Sequence, residues 1–229
     1  CAHHRTARFP NKQARQHVMT ITQIIYWLEL AGVAVFAITG ALEASRRQMD
    51  VVGFVLIATF TGIGGGTVRD VITGATPVFW IRDPAWVVTC IGAAIFTYFT
   101  AHLVERRYVA LIWLDALGLA LFGVTGAAIG LNLGVAPLVA IILGMISATF
   151  GGMVRDVVCN EIPLILRPEI YISCALLGAS IYVLGTAVLE LPRGPVAIIA
   201  FFCAFLLRAC AIKFKLSFPV YKARPGREY

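Results

Sequence analysis

The sequence predicts an all-α integral membrane protein. Seven transmembrane helices are expected, as two inverted three-helix repeats followed by a seventh helix, with helices 2 and 5 kinked. Three observations predict this. Apolar residues fill 59% of the 229 positions, charged residues only 14%, and the mean hydropathy is +0.85; soluble domains carry about 25% charged residues. The apolar residues form continuous runs of helix-crossing length, not the alternating pattern of a β-barrel. The chain also repeats itself 86 positions on (113 − 27), without a gap. Trp27-Leu28-Glu29 returns as Trp113-Leu114-Asp115, Gly32 and Phe36 as Gly118 and Phe122, and Gly65 to Val71 as Gly151 to Val157. Each copy holds three spans, an odd number, so the two copies must enter the bilayer in opposite directions, as in many solute-moving proteins.

The elements follow in order. Residues 1–18 are polar and basic and precede Met19; they read as a disordered tail, vector-derived or an upstream extension without structural role. Repeat 1 is placed at 19–106, with spans at Ile21–Ala44, Val51–Val68 and Ala85–Val104. Repeat 2 is placed at 107–192, with spans at Tyr108–Leu133, Leu138–Val154 and Tyr171–Leu189. The seventh helix occupies 193–213, with its apolar run at Val196–Ile212, and 214–229 is a basic tail. Arg46 and Arg47, Arg106 and Arg107, and the C-terminal Lys213, Lys215, Lys222, Arg224 and Arg227 fall on one side of such a layout. Lys and Arg mark cytoplasmic loops, so the N-terminus is expected outside and the C-terminus inside. The net charge of +7 is thereby a topology signal, and nucleic acid need not be invoked. The six cysteines show no CxxC or metal spacing and read as reduced, buried small residues.

The segments carrying chemistry are Val51–Ile81 and Pro137–Leu166. Thirty helical residues would measure about 45 Å, too long for a core of about 30 Å and too short for two crossings. A break is therefore expected at Gly62-Ile63-Gly64-Gly65-Gly66 and at Gly151-Gly152, since glycine costs a helix interior up to about 1 kcal/mol. A second discontinuity is expected at Pro77 and Pro163. Unwound backbone at membrane depth belongs beside protein or a water-filled cavity, where freed carbonyls can ligate a cation. Arg69-Asp70 and Arg155-Asp156 bring opposite charges into the apolar segments, where an ionisable residue needs a partner or a water path. The competing reading is that the glycines only let helices pack closely and that the charge pairs fix depth. Thr61 and Ser147, at matching positions, either line a polar path or bond back to their own helices. Glu29 and Asp115 are either interfacial anchors beside Trp27 and Trp113 or carboxylates drawing cations to two mouths. Glu43 is expected to face a loop, His102 the surface, and Arg208 to snorkel to the cytoplasmic edge.

Catalytic and nucleotide-binding signatures are missing: no GxxxxGK[ST], HExxH or GxSxG occurs, and GxGxxG fails at Thr67. Nothing suggests an enzyme, a metal site or a cofactor.

Paired strings GGGTVRD (Gly64 to Asp70) and FGGMVRD (Phe150 to Asp156), in a three-plus-three repeat with a seventh helix, resemble the TRIC family, the trimeric intracellular cation channels and their prokaryotic homologues. The likeness covers nearly all of Met19 to Lys215. It implies a homotrimer in a bacterial inner membrane, with one pore per subunit for monovalent cations, chiefly K⁺ as the permeant ion. It further implies that spans 2 and 5 line the pore, bent at Gly64, Gly65 and Gly66 and at Gly151 and Gly152, with Arg69, Asp70, Arg155 and Asp156 near it. Phe150 stands where repeat 1 has Gly64, so the two sides are unequal. The same family domain is associated with glycine uptake, so a secondary transporter of a small solute such as glycine is the alternative, and a purely structural membrane protein a third.

Overall fold

The structure, a computed structural model, describes residues 12–104 and 106–218. Among them it is all-helical: one isolated bridge, Glu169 to Ser217, is the only β-type pairing. The helices are α1 (Lys12–Arg46), α2 (Val51–Thr73), the short α3 (Phe79–Arg82), α4 (Ala85–Thr100), α5 (Arg107–Asn132), α6 (Pro137–Val158), α7 (Ile172–Val183) and α8 (Arg193–Phe214). Six have the length and apolarity to cross a membrane: α1 over Ile25–Arg46, α2, α4 with its 3-10 extension to Leu103, α5, α6 and α8. The α7 helix continues through a π-helical turn to Val188 and is shorter.

Local chemistry sets the ends. Asp50 caps α2, accepting the Gly53 N–H at 2.8 Å, and Gly74 closes it in the left-handed region at φ 68°. Pro137 opens α6, where its missing N–H costs nothing. The tail expected to be disordered is helical from Lys12, because Lys12-Gln13-Ala14-Arg15-Gln16 are good helix formers with no Gly or Pro to stop them. Residues 1–11 and 219–229 of the two expected tails lie outside the described residues.

The main correction concerns the glycines. Both α2 and α6 run unbroken through Gly62–Gly66 and Gly151–Gly152. The helices stop at Thr73 and Val158, and Pro77 and Pro163 stand in the loops beyond. Arg69-Asp70 and Arg155-Asp156 therefore sit in the last turns, not mid-helix.

The reason is packing. A Cβ on Gly65 would overlap the Ser147 carbonyl oxygen, and a Cβ on Gly151 would overlap the Thr61 carbonyl oxygen. These contacts are reciprocal at the repeat offset, since Thr61 matches Ser147 and Gly65 matches Gly151. A second set surrounds the Phe36 and Phe122 rings, 5.1 Å apart: a Cβ on Gly118 would meet Phe36, and one on Gly32 would meet Phe122. In both sets, moving up one helix means moving down its partner, so α2 and α6, and α1 and α5, pass in opposite directions. The core is built on these crossings, with Val33, Phe36, Ala58, Leu119, Phe122 and Ala148 buried.

Candidate functional site

Each repeat closes on a charged clamp. In the first, Arg69 Nη1 donates to Glu29 Oε1 of α1 at 2.5 Å, and its Nε donates to Asp70 Oδ1 at 2.9 Å. The other Asp70 oxygen accepts the Phe79 N–H at 2.9 Å, tying down the loop that follows α2. In the second, Arg155 Nη1 donates to Asp115 Oδ1 of α5 at 3.0 Å and Nε to Asp156 Oδ1 at 2.8 Å. Asp156 Oδ2 accepts the Leu164 N–H at 3.0 Å, and Thr39 Oγ1 of α1 also accepts from Arg155. The arginine thus joins two helices and its aspartate neighbour holds the return loop. The sequence achieves this because adjacent residues on a helix point in different directions, one to the neighbouring helix and one to the loop.

The surroundings of the two clamps differ. Arg155 and Asp115 are fully buried, whereas the Glu29 and Asp70 side chains retain about a tenth of their exposure. The clamps lie at opposite ends of the glycine crossing and do not face each other at mid-membrane. Glu29 and Thr39 mark their levels on α1, ten residues or about 15 Å apart.

Several expected roles change accordingly. Glu29 and Asp115 are not open mouth carboxylates: each is buried against an arginine, because two opposite charges in one apolar bundle are cheaper together than apart. Thr61 donates back to the Ile57 carbonyl of its own helix at 2.6 Å, and the buried Ser147 hydroxyl has no partner among the described residues. Gly64 and Phe150 are half-buried, and Gly66 makes room for the Phe79 ring. Gly152 makes room where the Asp115 carboxylate and the Tyr171 hydroxyl converge. Glu43 is not loop-facing: it is 2% exposed and takes Arg46 and Arg47 as partners. Arg208 is itself buried: it donates to the Ile170 carbonyl and pairs with the exposed side chain of Glu169, both in the loop before α7.

Asp83, outside the spans between α3 and α4, accepts the Tyr26 hydroxyl of α1 on Oδ2 at 2.8 Å, fastening the segment after α2 to α1. The Ala85 N–H and then the Tyr26 hydroxyl hold the Asp83 carboxyl below its ordinary value. A depressed folded-state pKa contributes stability above the unfolded value, lost as pH falls through the folded one. Tyr26 packs edge-on against Trp27 and Trp86. Tryptophan fluorescence should hold steady from about pH 7 to about pH 5 and change only below about pH 4. An earlier change, or one that persists in Asp83→Asn, would discount this tie.

Comparison with known proteins accords with this architecture. A family model described as glycine transporter matches twice, over residues 26–102 and 112–187, starting points separated by the repeat offset. The UPF0126 inner membrane protein YadS of Escherichia coli K12 is 34% identical over 200 residues, covering 86% of this chain and 96% of that protein. The structure of the TRIC trimeric intracellular cation channel orthologue from Rhodobacter sphaeroides is 48% identical, with a TM-score of 0.82, covering 84% of this chain and 99% of that one. A prokaryotic TRIC channel solved in 0.5 M KCl is 30% identical at a TM-score of 0.79, over 85% and 98% of the two chains. With so much shared sequence, over nearly the full length of its relatives, this integral membrane protein belongs to the TRIC family.

Proposed function

We infer that the chain is a monovalent cation channel passing K⁺, a homotrimer with one pore per subunit lined by α2 and α6. The observation that carries this is the reciprocal glycine crossing. Where α2 and α6 meet, no side chain of Gly65 or Gly151 stands between one backbone and the carbonyl oxygens of the other. Sliding or bending the two helices apart there would uncover carbonyl oxygens at mid-membrane, hard ligands for a desolvated cation. The clamps at the two ends carry the same sign of charge. Glu29, Arg69 and Asp70 sum formally to −1, as do Asp115, Arg155 and Asp156, so neither clamp carries a net positive charge that would favour an anion beside it. In this reading Gly64, Gly65, Gly66, Phe150, Gly151 and Gly152 are the flexing segment, and the clamps set its rest position. TRIC structures are described as cation channels, which supports it.

The layout proposed is two inverted three-helix repeats, 19–106 and 107–192, with α7 as the sixth span, a seventh helix at 193–213 and a tail at 214–229. The antiparallel crossings support the inversion. Arg46, Arg47 and Arg167 gather around Glu161 at one end of the bundle, with the end of α8 on the same loop. By the positive-inside rule that end faces the cytoplasm of a bacterial cell, and the N-terminus lies outside the inner membrane.

Purified protein in planar bilayers should give K⁺ single-channel currents whose reversal potential follows a KCl gradient. Silence across voltages and lipids, together with saturable glycine counterflow in liposomes, would instead establish the second reading, a secondary transporter. The matching family model's description favours that reading.

A further inference from the structure

Helix α8 has no counterpart in the duplication, and the one charge among its buried residues is Arg208. Arg208 is 1% exposed; Nη1 donates to the Ile170 carbonyl at 2.9 Å and Nη2 pairs with Glu169 at 3.1 Å. Its guanidinium lies 5.1 Å from the centre of the Tyr171 ring. The Ile170 N–H donates to the Leu216 carbonyl at 3.3 Å, so the end of α8 grips this loop twice. Tyr171, itself buried, reaches with its hydroxyl the point above Gly152 where Asp115 meets Arg155. A continuous stack therefore runs from α8 through Tyr171 to the second clamp.

The first clamp has a less buried layer: the Phe79 ring lies 5.7 Å from the Arg69 guanidinium and packs edge-on against Trp86, but Phe79 is only half-buried and Arg208, the one buried charge of α8, is not part of it. At the repeat offset Ala85 stands where Tyr171 would be. No residue from Val71 to Ala85 is buried, whereas Cys159, Leu164 and Tyr171 are. Yet the bond that ends each clamp is the same: Phe79 N–H to Asp70 at 2.9 Å and Leu164 N–H to Asp156 at 3.0 Å. Equal bonds in unequal surroundings should open with unequal free energies.

We propose that Arg208 is a positioning residue that fastens Tyr171 and the α6–α7 loop over the second clamp. That clamp stays fixed, and the Glu29–Arg69–Asp70 clamp is the one that releases when the path opens. Release on opening rests on the channel reading; the lock itself does not.

Hydrogen exchange read by mass spectrometry on the whole protein in lipid nanodiscs tests the lock directly. After correction for intrinsic rates, peptides spanning Ala75–Asp83 should exchange at least about tenfold faster than those spanning Glu161–Tyr171. Arg208→Gln should bring the second segment up toward the first and leave the first unchanged. Equal protection in the wild type, or a second segment indifferent to Arg208→Gln, would overturn the proposal. Should Arg208→Gln fail to assemble, Arg208→Lys serves: it keeps the charge, loses the two-pronged grip, and should speed the second segment about threefold. An unchanged rate there is equally fatal. In planar bilayers the assembled variant should show altered open probability at unchanged unitary conductance. A wild type without current but with the exchange contrast intact sinks the channel reading alone. A conducting wild type whose second segment ignores both variants sinks the lock alone.

Discussion

Gly65→Ala should destabilise the protein by about 3 kcal/mol or more, while Gly64→Ala, one residue away, should be neutral or stabilising. The added methyl at 65 overlaps a backbone carbonyl of α6, which cannot rotate aside as a side chain would. Overpacking a core commonly costs about 1–3 kcal/mol, and a backbone obstacle lies at the upper end of that range. At 64 the methyl meets only the Gly151 Cα at 3.5 Å, an ordinary contact, and replacing a helical glycine by alanine gains up to about 1 kcal/mol. Gly151→Ala should behave like Gly65→Ala, because it strikes the Thr61 carbonyl. Thermal unfolding in detergent, followed by loss of the oligomer peak on size exclusion, reads the difference. Equal melting of the 64 and 65 variants would mean that close packing is not what the glycines provide. A normal melt for Gly64→Ala with altered currents would separate flexing from packing.

Arg155→Ala should cost about 3–5 kcal/mol, the usual consequence of leaving carboxylates buried without their cation. Asp115 and Asp156 both lose their partner, and Asp115 has no exposure through which to recover water. Arg69→Ala should cost less, since Glu29 and Asp70 keep some solvent contact. The double variant Arg155→Met with Asp115→Leu should regain part of the loss, because a well-packed apolar pair can replace a buried ion pair while Asp156 still lacks its cation. The comparison needs the four melting curves of a double-mutant cycle. If Asp115→Leu fails to rescue Arg155→Met, the two do not act as a pair.

Much of this architecture is legible in the chain alone. Apart from the early start of α1 at Lys12, the membrane-length helices fall within a few residues of the apolar runs, because a bilayer asks only for length and apolarity. The repeat offset also locates each charged string and its counterpart in the other half. What cannot be read is where α2 and α6 stop. Taken alone, Gly64-Gly65-Gly66 is a weak stretch of helix, and local propensity points to a break. The opposing helix reverses that preference, since only glycine lets the Thr61 and Ser147 carbonyls approach. The pairing of Glu29 with Arg69 does carry a signal: each copy has an acid near the start of its first span and an arginine at the end of its second, 40 positions apart in both. Two such charges in hydrocarbon call for each other, whatever else they do. Arg208 has no comparable signal. Its partners Glu169 and Ile170 sit in a loop, and nothing in helix periodicity says where a loop will fold.

The reciprocal joint between α2 and α6 also bears on ancestry. Thr61 meeting Gly151 and Ser147 meeting Gly65 is the self-complementary contact of a two-fold homodimer, now made within one chain. In a separate, unfused ancestor any substitution at that joint would have appeared twice, once on each side, and both would have had to fit. Two copies within one chain are free of that constraint. Phe150 opposite a glycine lineage, a tyrosine in one return loop but not the other, and an added helix to hold it are changes that only a fused pair can accumulate one side at a time.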